Sequence, residues 1–167
     1  MDRAWQDRPR EEAYAFNPAF LSSLVCDFVR EFTKAKHEAC PVTLAFLAPA
    51  LSLHRQTRTR FPSRTVTSLY EWLQNNEDVL VDLPRRNHAL LPLLRDGMKF
   101  AVFQKVIEFS DGHRLIVGPK KGHFTPAFLD AVSSDMNEVV AATRFLAKWF
   151  AKSGSEASVL SGWGVRP

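Results

Sequence analysis

The chain has 167 residues, 46% of them apolar and 24% charged, with 22 Lys and Arg against 18 Asp and Glu. That length suits about one domain able to bury its own core, and seven scattered glycines and two cysteines exclude a collagen and a disulfide scaffold. No apolar run approaches the ~20 residues of a membrane span and residues 1–12 hold no apolar block of a secretory signal, so a cytoplasmic protein is expected.

Residues 1–16 read as an extended N-terminal arm. Asn17 and Pro18 start a helix over 17–36, because Asn suits a cap and Pro the first turn. Phe20, Leu24, Phe28 and Phe32 recur every four residues and give it one broad apolar face. Cys26 falls in that stripe and Cys40 precedes a proline, which fits two small buried hydrophobes. Residues 43–53 read as a short buried helix interrupted by Pro49. Ser63 or Thr65 is expected to cap a helix over 64–75, with Leu69, Trp72 and Leu73 inward. Asp82 and Pro84 open a helix over 83–104, in which Pro92 predicts a kink and Gly97 a weak point. Two β-prone runs, 106–109 and 115–117, flank Asp111-Gly112 and predict a hairpin. Thr125 and Pro126 open a long helix over 125–152 with a near-heptad apolar seam. The tail, 155–167, holds Val159, Leu160 and Trp163, which a free tail does not need.

Three helices followed at once by a hairpin is the order of a winged-helix domain, so residues 43–118 read as a winged-helix-like middle. The fold class expected is α+β, predominantly α-helical, with that middle flanked by long N- and C-terminal helices in one domain over 1–167.

The chemistry-bearing motifs point away from catalysis. No phosphate-cradling GxxxxGK[ST], GxGxxG or GxSxG occurs, and no CxxC or HExxH. The five histidines do not pair at metal or triad spacing; His113 and His123 flank the second strand of the hairpin. The reading is no enzyme, no metal and no cofactor. Charge is the positive signal. Residues 54–125 carry twelve Lys and Arg against seven Asp and Glu, while the flanking parts are close to neutral. Such a local surplus attracts anionic partners, and cations between helices and around a wing commonly meet phosphates. The candidate DNA-binding residues are Arg55, Arg58, Arg60, Arg64, Arg114, Lys120 and Lys121. The 83–104 helix has few base-reading side chains, so contact without sequence choice is expected. The helix over 125–152 is apolar over more of its girth than one seam needs. Phe145 and Trp149, with Val159, Leu160 and Trp163 of the tail, are therefore the candidate partner-binding residues.

Several blocks carry a family likeness: Arg8-Pro9, Phe-Asn-Pro-Ala-Phe at 16–20, Leu-Ser-Leu-His-Arg-Gln-Thr-Arg at 51–58, and Thr-Ser-Leu-Tyr-Glu-Trp-Leu at 67–73. Ala-Leu-Leu-Pro-Leu-Leu-Arg at 89–95, Arg-Phe-Leu-Ala-Lys-Trp-Phe-Ala-Lys-Ser-Gly at 144–154 and Gly-Val-Arg-Pro at 164–167 complete it. Through them the chain resembles the middle component of three-component ABC systems, the small subunit of Lamassu-type bacterial defence operons. The resemblance implies a non-catalytic subunit in defence against phage and plasmids. Its implied partners are a coiled-coil ATPase similar to SMC proteins and an effector, often a nuclease, with double-stranded DNA contacted in the complex and no membrane. The alternative is a stand-alone winged-helix transcriptional regulator.

Overall fold

The computed structural model describes residues 16–166. In chain order these form α1 (Pro18–Lys36), β1 (Cys40–Pro41), α2 (Val42–Ser52), α3 (Arg55–Arg58) and α4 (Leu69–Gln74). A 3-10 turn (Glu77–Leu80), α5 (Leu83–Phe103), β2 (Ile107–Phe109), β3 (Arg114–Val117), α6 (Pro126–Ala131), α7 (Ser134–Lys152) and α8 (Glu156–Gly162) follow. The fold is predominantly α-helical α+β. The arm expected over 1–16 lies outside the described residues except for Phe16.

α1 is the central post. The Asn17 side chain accepts from the Ala19 N–H at 2.8 Å, Pro18 takes the first position, and His37 ends the helix in the left-handed region at φ 60°. Its apolar face meets α7, and its other flank meets α5. Gly97 of α5 makes that second contact possible: a Cβ there would lie 3.2 Å from the Pro18 carbonyl and 3.3 Å from the Leu21 Cβ. The expected weak point is a close helix approach.

α2 is apolar nearly all round and accordingly buried, from Leu44 to Ser52 with Phe46 half-covered. α5 continues through Pro92, which faces solvent, to Phe103. The hairpin forms as expected, with Ile107 opposite Val117 and Phe109 opposite Leu115. A third strand, β1, pairs antiparallel with β3, giving the order β1-β3-β2. Two residues are too few to leave a period-2 signal, so sequence did not reveal it.

Two expected boundaries change. The helix expected over 64–75 starts later, because Ser68 rather than Ser63 or Thr65 caps it. The helix expected over 125–152 is two helices. Val132 is extended at ψ 168°, and Ser133 accepts from the Met136 N–H to start α7 afresh. A second Ser cap eight residues after Thr125 was the signal for this break.

Candidate functional site

The basic segment 54–64 sits at the C-terminal end of α2, where carbonyls without helical partners leave a negative pole. Arg58 is buried there at 7% exposure and donates to the Ser52 and Leu53 carbonyls at 3.5 and 3.4 Å. Its other nitrogen pairs with Asp135 and lies 3.6 Å from Glu138, both on α7. Arg86 reaches the same helix end from α5 and donates to the Ala50 and Val79 carbonyls at 3.2 and 3.4 Å. Arg60 forms a fork on Asp78 at 2.5 and 2.9 Å and donates to the Asn76 side chain at 2.6 Å. Arg114 donates to the Ala39 carbonyl at 3.1 Å and ties β3 to the chain entering β1. These four guanidiniums hold elements of the fold together.

Arg55, Arg64, Lys120 and Lys121 are exposed, and none has an acid within 4 Å among the described residues. The candidate DNA-binding set thus divides. Arg58, Arg60 and Arg114 carry internal contacts; Arg55, Arg64, Lys120 and Lys121 offer unneutralised charge to solvent.

The candidate partner-binding residues lie inward. Trp149, Val159, Leu160 and Trp163 are buried, and Phe145 is half-buried. Trp72 of α4 is the hub that joins them, with ring centres 5.5 Å from Trp149 and 5.8 Å from Trp163. Phe61 stacks on Phe145 at 6.0 Å from the outer side. The Trp149 indole N–H donates to the Thr67 carbonyl at 2.7 Å, and that of Trp72 to the Arg60 carbonyl at 3.0 Å. The tail reaches this cluster as a short helix, α8, started by Ser155 and tethered where the Tyr70 hydroxyl donates to the Ser153 carbonyl at 2.8 Å. Of these five residues, only Phe145 keeps more than trace surface in this conformation.

Sequence reasoning missed a polar seam between α1 and α7. Asp27, fully buried, accepts from Arg144 Nε at 2.7 Å; Lys148 lies 3.3 Å from Glu31. Burial raises the Asp27 pKa above 3.8, against the pull of the Arg144 hydrogen bond and charge. The i, i+4 spacing of Asp27 with Glu31, and of Arg144 with Lys148, was the available signal.

A groove of about 850 Å³ opens between the start of α1 and the α6–α7 break. Phe20, Phe124 and Phe128 form its wall, with ring centres 5.2 and 5.1 Å apart in sequence. Its titratable lining is His123 and Asp135, and Asp135 is already engaged by Arg58. Among the described residues no group of three or more His, Cys, Asp or Glu gathers as a metal site would require. Burial pushes the Cys26 thiol up to about 11 and raises that of Cys40 as well, so neither is a ready nucleophile. His113 is exposed at the hairpin turn and His123 half-buried, on different sides of β3 in sequence. No helix of the described residues is long and apolar enough to cross a membrane.

Together these features define a small, predominantly helical protein that presents exposed cations, Arg55, Arg64, Lys120 and Lys121 among them. Residues 5–167 match the family described as ABC-three component (ABC-3C) system Middle Component 3, and the chain belongs to that family. No curated protein and no solved structure matches it.

Proposed function

We propose that this chain is a non-catalytic subunit of a bacterial defence complex of Lamassu type. In this reading it bridges an SMC-like coiled-coil ATPase and an effector, often a nuclease. The observation that carries the reading is the family match, which takes in nearly the whole chain as one middle component. A component of that kind works through protein partners, and the wide internal core leaves its outer surfaces available for them.

The assembled complex touches double-stranded DNA through two of the outward cations, Arg55 and Arg64. Such contacts go to phosphates, carry no sequence choice and weaken steeply with salt. A winged-helix-like reading of residues 43–118 is supported by the run of helices into an antiparallel hairpin and by the β1-β3-β2 order. The same features favour the second reading, a stand-alone regulator. That reading requires a homodimer bound to a palindromic site, with α5 in the major groove.

Co-expression of the tagged chain with the other two components of its system tests the proposal. Both components are expected to co-purify. The complex is expected to bind a random-sequence duplex, and Ala at Arg55 and Arg64 to lower that affinity and flatten its salt dependence. A chain that retains neither component yet selects one palindrome as a homodimer establishes the regulator instead.

A further inference from the structure

At the end of α5 the chain does something its sequence does not favour. The helix closes with the Lys105 N–H on the Val102 carbonyl and the Val106 N–H on the Ala101 carbonyl, both at 3.0 Å. This double bond pattern puts its capping residue in the left-handed region, where glycine is the usual occupant. Here it is Lys105, at φ 56°. The loop after the hairpin then folds back onto it: the Lys120 N–H donates to the Lys105 carbonyl at 3.1 Å, and the Gly118 N–H to the Val106 carbonyl at 2.9 Å. A Cβ at Gly118 would stand 2.4 Å from the Lys105 oxygen, so only glycine permits the approach.

The result is a knot in which Lys105 and Lys120 start from backbone positions one hydrogen bond apart, with Lys121 next in the chain, and all three are exposed. None has an acid within 4 Å among the described residues. Beside the knot the chain exposes apolar side chains that its core could have hidden. Phe103, the last helical residue, is 82% exposed; Phe100, one turn earlier, and Val117, at the end of β3, are 43% and 40% exposed. Phe103 gains little from its own fold, and a strained lysine stands where an unstrained glycine would serve. Unsatisfied charge, bare aromatic surface and local strain coincide at one place.

We propose that this junction is the docking surface for a protein partner that presents carboxylates around an apolar anchor. The proposal rests on the middle-component reading and names the surface through which it acts. Charge complementarity selects the occupant. A second copy of this chain would set three lysines against three, which repel. A nucleic acid would satisfy the lysines through phosphate and could stack a base on Phe103, but it has no counterpart for the branched side chains of Val117 and of Val102, which is 36% exposed. An acidic protein segment with one large apolar side chain satisfies both.

The tests use the full chain co-expressed with the other two components of its system. Phe103→Ser and Lys105→Glu change exposed side chains, and each is expected to weaken binding of one component about tenfold or more, as loss of an interface anchor does. Raised salt is expected to weaken the wild-type contact and to affect the Lys105→Glu contact less. Lys105→Gly separates fold from docking: it relieves the left-handed strain, so the free chain melts a few degrees higher, while the component is held less tightly. Wild-type binding by both Phe103→Ser and Lys105→Glu, with wild-type assembly intact, overturns this proposal and leaves the middle-component reading standing. A wild-type chain that retains neither component overturns both. Intact assembly with lost affinity for a duplex or single-stranded oligonucleotide overturns the protein occupant in favour of nucleic acid.

Discussion

In residues 54–64 the Arg58 guanidinium lies under α7, spread over the Ser52 and Leu53 carbonyls at the end of α2 and two carboxylates. At the α5–hairpin junction Lys105, Lys120 and Lys121 stand in solvent with no acid within 4 Å among the described residues. Both regions are basic in sequence. In the first, Arg58 spends its charge on a helix end that would otherwise keep buried carbonyls unpaired, which costs about 1–3 kcal/mol per group. The second has no internal use for its charge. A surplus of cations therefore marks a binding surface only after the contacts inside the chain have been subtracted.

The same subtraction applies to apolar residues. Trp163 is conspicuous in a tail of small residues, yet its ring is spent inside, 5.8 Å from Trp72 and 6.3 Å from Phe150. Phe103, the last residue of α5, remains outside at 82% exposure.

The largest effect that would break this contrast is at Trp163. Trp163→Ala opens a cavity in the aromatic cluster and is expected to cost about 3–5 kcal/mol, read as a lower urea midpoint with an unchanged slope. Phe103→Ala, at the bare site, is expected to stay within ~0.5 kcal/mol of wild type. Equal losses at the two sites would erase the distinction between them.

The arginines give a smaller version of the same test. Arg58→Ala strips the Ser52 and Leu53 carbonyls of a donor and is expected to destabilise the free chain by about 2 kcal/mol. Its acidic partners are half-exposed and can return to water, which keeps the figure below that of a fully buried pair. Arg55→Ala, three residues earlier and exposed, is expected to change stability by less than ~0.5 kcal/mol. Thermal or urea unfolding of the two variants side by side checks both numbers.

How much of this was legible from sequence differs by kind of feature. Local signals held: Asn17 and Pro18 start α1, the Phe20-to-Phe32 spacing faces the core, and Asp111-Gly112 turns the hairpin. Those depend on contacts within a few residues. The fate of each cation depends on residues far away in the chain: Asp135 is 77 positions from Arg58, and Asp27 is 117 from Arg144. Nothing in residues 54–64 distinguishes Arg55, which faces water, from Arg58, which is buried; a single helical turn separates them. The left-handed Lys105 was invisible for the opposite reason. Its position is set by a helix end that sequence rules assign to glycine.

The smallest expected effect sharpens the account of the α1–α7 seam. Burial holds the Asp27 pKa above 3.8, so the folded state binds that proton more tightly than the unfolded chain does. The stabilisation from this preference is complete below the unfolded value and is lost as pH rises through the folded one. Relative to Asp27→Asn, which does not titrate, wild type is expected to lose ground as pH rises from about 3 to 7. A wild type that gains ground over that range would mean that the Arg144 pair outweighs burial.

Amide hydrogen exchange on the chain, free and assembled with the other two components, tests the central contrast most directly. Exchange is expected to slow on assembly in residues 99–121, at the end of α5 and through the hairpin. Residues 156–163, already sealed by Val159, Leu160 and Trp163, are expected to keep the protection they have in the free chain. New protection confined to 156–163, with 99–121 unchanged, would contradict the account and return the docking surface to the tail.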